Sequence, residues 1–133
     1  MITNKSITIP IYGNRLHICI SSDFIKDIPE INKYFNNNFD DNDDVLGMSQ
    51  QRGGHTLIII NVGKHKRIFK KDFEIEIFGT ITHEAVHACN TIFDQKGIKL
   101  DINNDEPQAY FIEYIVKQVL KVYFNHKLKT CKQ

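Results

Sequence analysis

His83, Glu84 and His87 form an H-E-x-x-H pattern. These types at this spacing suit hydrolysis by a metal-bound water. On an α-helix, positions i and i+4 stack on one face. Both imidazoles can then reach one ion at about 2.0–2.1 Å, the usual Zn–N distance. Glu84 lies about 100° further round the helix. That puts its carboxylate beside the ion, where it can take a proton from the bound water. The surrounding residues fit such a helix. Glu76, Thr80, Asn90 and Asp94 share the histidine side, while Ile77, Phe78, Ile81, Ala85, Ala88, Cys89 and Ile92 oppose it. The plainer alternative is an amphipathic helix with two solvated histidines.

A catalytic zinc takes three protein ligands and keeps a fourth position for water. A third histidine six residues after His87 is absent, because Phe93 stands there. The next candidates lie where a second helix starts. Asp105 is placed as an N-cap, Pro107 falls in the first turn, and Gln108 can complete a capping box. Glu106 sits in that first turn, nineteen residues after His87. It is either the third ligand or an acid that complements the helix dipole. Asp105 is the rival ligand.

His83-Glu84-x-x-His87 followed by Glu106-x-x-Ala109 resembles the gluzincin pattern. Residues 82–115 are similar to small zincin-like metallopeptidases, often encoded by phages and mobile elements, and more distantly to the ImmA/IrrE metallopeptidases. The resemblance covers about the second half of the chain. It implies a minimal zincin-like α+β fold: a small twisted sheet on two long helices, one of them the active-site helix. It also implies a zinc-dependent metallopeptidase with Zn²⁺ held by His83, His87 and Glu106, and with Glu84 as general base. Thermolysin-like gluzincins place an Asp four residues after the ligand Glu. Here that position is Tyr110, whose hydroxyl is the candidate helper at the oxyanion. The second reading is a zincin-fold binding or regulatory protein with little or no peptidase activity.

Composition bounds these readings. The chain has 133 residues, which fits one domain spanning 1–133. It is 41% hydrophobic and 25% charged, as soluble globular proteins are, and its net charge of +1 selects neither nucleic acid nor membrane. The N-terminus lacks an apolar signal region, and no apolar run could span a bilayer, so the expected compartment is the cytoplasm. The expected partner is a peptide or protein substrate. Cys19, Cys89 and Cys131 are too few and too scattered for a disulfide framework. Cys89 is expected in the core.

The remaining elements must position the motif. Residues 6–11 and 15–21 read as a β-hairpin turning at Gly13-Asn14. His17 falls on its polar side as a surface residue. A helix is expected from Asp27 to Asn36, with Ile28, Ile31 and Phe35 buried. The acidic loop 36–44 lacks the Gly and late Glu of an EF-hand and reads as solvated. Residues 45–51 and 56–62 read as two strands joined by Arg52-Gly53-Gly54-His55, with His55 at the hairpin tip. In zincin folds a sheet edge pairs with extended substrate, and one of these strands is the candidate for that. The basic cluster 63–71 reads as a connector, since no aromatic interleaving supports a nucleic-acid contact. The motif helix is expected over 72–96, with Gly79 permitting close approach by the sheet. The last helix is expected over 106–126, followed by a frayed tail over 127–133. His126 is too far along it to be a ligand.

Overall fold

The computed structural model describes residues 1–132. The last residue of the expected tail, Gln133, lies outside them. The chain builds a four-stranded mixed sheet from β1 (Ile2–Thr8), β2 (Arg15–Ser21), β3 (Gly47–Arg52) and β4 (His55–Asn61), in the order β1-β2-β4-β3. The outer pairs are antiparallel, and β2 runs parallel to β4. The two central strands are apolar on both faces, because both faces are covered. Leu16, Ile18, Ile20, Ile58 and Ile60 face one layer of helix, while Cys19, Leu57 and Ile59 face another.

The first layer is α3 (Phe73–Gln95) with α4 (Glu106–Cys131). The motif helix therefore lies where its periodicity placed it. Ile77, Ile81, Ala85, Ala88, Cys89 and Ile92 are buried against the sheet. Phe78, expected with them, is partly exposed and meets Tyr123 and Phe124 of α4. Phe111 of α4 stacks on Phe93 and packs on Tyr12, joining both helices to the first hairpin. The expected frayed tail is mostly helix, because α4 continues to Cys131.

The second layer is α1 (Phe24–Phe35), on the opposite face of the sheet. A sheet on two long helices was thus only half of the architecture. The expected start of α1 is also corrected. Asp23 is the N-cap, and Asp27 lies inside the helix. Asp27 is buried, accepting 2.6 Å hydrogen bonds from the Ser21 hydroxyl and the Met1 ammonium. The basic connector is also a helix, α2 (Val62–Phe69), capped by the Asn61 side chain. The first strand ends at Thr8, and Ile11 lies in the link at φ 70°. No helix among the described residues is long and apolar enough to cross a membrane.

The chain is α+β, with a four-stranded mixed sheet and four α-helices among the described residues. The zincin-like fold inferred by resemblance is not supported. Its defining feature is an active-site helix joined by a metal-binding cluster, and no such cluster forms among the described residues.

Candidate functional site

The close approach expected at Gly79 occurs instead at Gly47. Among the described residues, beyond the backbone of its own helix, no atom lies within 4 Å of where a Cβ on Gly79 would sit. A Cβ on Gly47 would press into Thr80 Cγ2 and lie 3.1 Å from Glu84 Cγ. At the far end of the same strand, Gln51 donates to Gln95 Oε1 at 2.8 Å. Strand β3 therefore runs along α3, from the level of Thr80 and Glu84 to that of Gln95. On the other side of α3, Gln108 donates to Asn90 and Phe111 stacks on Phe93. With about 100° per residue, His83 and His87 fall between these two contact lines. They are exposed on a polar strip bordered by β3 and by the start of α4.

The two imidazoles turn toward each other, with their Nε2 atoms 3.1 Å apart. One proton can be shared there, since two N–H groups would face each other head-on. Glu84 is buried, on the β3 side. Burial pushes its carboxyl above the usual carboxylate range, and the neighbouring His83 and His87 pull part of that rise back. It forms no hydrogen bond to either histidine among the described residues.

The third ligand does not join them. Glu106 and Asp105 are exposed. Because Gln108 meets Asn90 across antiparallel helices, Glu106 lies level with the turn after Asn90. That is more than a helical turn beyond His87, and helical side chains lean toward their own N-terminus, here away from the histidines. Among the described residues no group of three or more His, Cys, Asp or Glu side chains could hold a metal ion. The expected Zn²⁺ site of His83, His87 and Glu106 is therefore withdrawn. With it go the metallopeptidase and hydrolase activity and the gluzincin-type assignment drawn from these residues. Tyr110, the expected oxyanion helper, is 66% exposed on the first turns of α4. Gln108 completes no capping box, since its amide is spent on Asn90.

Beside the strip is an open cleft of about 560 Å³. Val45, Leu46 and Gly47 form one wall, Thr80, His83 and Glu84 the other, with Lys64 and Ile68 at one end. His65 supports this wall from behind. It is buried, with Nδ1 2.7 Å from the Asn61 carbonyl and Nε2 2.8 Å from the Thr80 hydroxyl. Burial lowers its pKa, against the opposing pull of the Asn61 carbonyl and Glu76. His65 thus leaves the basic cluster to which its neighbours assigned it. Lys64 and Arg67 pair with Asp44, and Lys66 lies over the Phe73 ring. Most of that cluster is therefore engaged within the fold, which corrects the solvated connector expected there.

Other histidines were also underestimated. His17, expected on the surface, is half-buried and joined to both Ser6 and His55. His126, dismissed for its position in α4, is buried between the Thr3 and Ser22 hydroxyls, each 2.8 Å from a ring nitrogen. Only strand register could have revealed the first group, since Ser6 and His17 are direct cross-strand partners.

The site as built is the edge strand β3 alongside a polar helix face. Comparison with known proteins adds no family: no family model, no curated protein and no solved structure matches this chain.

Proposed function

We propose that this domain binds a peptide or protein segment as an added strand along the outer edge of β3. The single observation behind this reading is an unguarded edge beside an open cleft. The backbone N–H of Asn61 donates to the Leu46 carbonyl, which makes Leu46 and Asn61 a hydrogen-bonded pair. Antiparallel pairing alternates, so Met48 and Gln50 also bond to β4, and Gly47, Ser49 and Gln51 direct their N–H and C=O groups outward. Native sheets usually guard such an edge with charge or proline. The other edge strand, β1, carries Lys5. Residues 47–51 contain neither charge nor proline. An extended segment gains affinity from the backbone ladder and specificity from pockets for alternate side chains. On this reading His83, Glu84 and His87 contact the side chains that face α3. Glu106 and Tyr110 form the far rim.

The test is a panel of linear peptides selected by display against the wild-type domain, with affinities then measured by calorimetry. Ser49→Pro removes one outward donor and leaves the pairing with β4 intact, because proline is tolerated on an edge. It should weaken the selected peptides by about tenfold or more, the equivalent of one or two backbone hydrogen bonds. Unchanged affinity in that variant, or peptides that leave the outward amides of residues 47–51 unprotected from hydrogen exchange, would remove the reading. A second copy of this chain as occupant would appear as a dimer that Ser49→Pro dissociates.

A further inference from the structure

On the opposite face of the sheet, three neighbouring strands bring Ser6, His17 and His55 into one hydrogen-bonded line. The Ser6 hydroxyl is 2.6 Å from His17 Nδ1. His17 Nε2 is 2.9 Å from His55 Nδ1, and the two rings stack with centroids 5.2 Å apart. A nucleophile, a base within hydrogen-bond reach and a third group that orients the base are the parts of an activated serine. The line opens into a cleft of about 500 Å³, walled by Tyr34, Phe35 and Leu57. Among the described residues, no Asp or Glu lines it.

The geometry points to Ser6 as a nucleophile that accepts an acyl group from small activated esters whose apolar portion rests against Tyr34, Phe35 and Leu57. The tautomer that allows this has His17 protonated on Nε2. Nδ1 then accepts the Ser6 O–H, and Nε2–H donates to His55 Nδ1. As the Ser6 oxygen attacks the ester carbonyl, its proton passes to His17 Nδ1, and the Nε2 proton of His17 passes to His55. His55 becomes the imidazolium, and it is exposed, so water solvates the charge. Collapse of the tetrahedral intermediate breaks the bond to the leaving alcohol, which takes the proton back through the same line. Ser6 remains as the acyl ester, and water hydrolyses it by the reverse path. Burial, with the nearby His55 and Arg15, lowers the His17 pKa, so His17 is a neutral acceptor at physiological pH. A second hydroxyl–imidazole pair provides an internal contrast. Ser22 meets His126, but both His126 nitrogens are spent on hydroxyls and the ring is buried. Ser22 should stay unmodified.

The experiment uses p-nitrophenyl acetate as the probe, with nitrophenolate release followed by absorbance and acetylation located by peptide mass spectrometry. The expected result is a burst approaching one equivalent per chain, with one acetyl group on the peptide that contains Ser6. Ser6→Ala and His17→Gln should each lose the burst while keeping the wild-type far-UV spectrum and melting temperature. His55→Asn should slow the burst without abolishing it. Acetyl groups confined to lysines and imidazoles, a label on Ser22, or a full burst in folded His17→Gln would overturn the assignment. Gln50 and Arg52 of β3 also line this cleft, but the outward amides of Gly47, Ser49 and Gln51 take no part in the acyl transfer, so either proposal can fail without the other.

Discussion

Gly47 shows how one missing side chain positions the candidate site. The hydrogen that replaces a Cβ lets β3 lie against Thr80 and Glu84. Gly47→Ala should cost about 1–3 kcal/mol, the usual range for overpacking a fitted contact. A urea titration checks this, and a loss near zero would mean that the strand and helix part easily. His126 makes the residue-scale argument for pH. Its folded pKa falls to about 4, mainly through burial, with the Met1 ammonium, Lys66 and Lys129 adding to the drop and Asp27 opposing it. A base depressed on folding takes up its proton first in the unfolded chain. Its contribution is therefore complete above its ordinary value of 6.5 and is lost as pH falls toward 4. The loss should be on the order of 3 kcal/mol. Denaturant midpoints at pH 7 and pH 4.5 measure it, and His126→Gln should flatten the difference.

At the scale of elements, β3 illustrates what alternation decides. Ser49 and Gln50 are adjacent and both polar, yet their backbone amides point to opposite sides. Gln50→Pro should destabilise the fold by about 1–3 kcal/mol, because it orphans an acceptor on β4. Ser49→Pro should leave stability nearly unchanged. Equal melting temperatures for the two variants would mean that the register is wrong. The motif helix was legible almost to the residue, since a 3.6-residue apolar period over 23 residues has no strand equivalent. Helix α2 is hard to see in the sequence because its eight residues make barely two turns and are mostly basic or small, although its few apolar residues do share one side. A proline near an acid resembles a first turn, so the sequence points to Asp27 as the start of α1. Asp23 caps it instead, and Pro29 sits inside.

Across the whole molecule, one sheet separates two apolar clusters. Because β2 and β4 contribute to both, the layers should unfold together. Phe111→Ala on one side should cost about 3–5 kcal/mol and Ile31→Ala on the other about 2–5 kcal/mol. Each should shift a single transition seen alike by far-UV circular dichroism and tyrosine fluorescence. Two separated transitions would show that α1 folds independently.

Most of the strands, the two long helices and the polar strip that carries His83 and His87 are legible along the chain. Those are local properties, written in period and turn chemistry over neighbouring residues. The sequence by itself could not determine what the strip faces. Whether Glu106 reaches the histidines depends on how far α4 slides along α3, and that is set by Gln108 on Asn90 and Phe111 on Phe93. Whether Ser6, His17 and His55 meet depends on the pairing of strands far apart in the chain. Spacing along a helix can present two ligands, but only the tertiary structure decides whether a third arrives, because that distance is fixed by packing between elements and not by the order of residues within one.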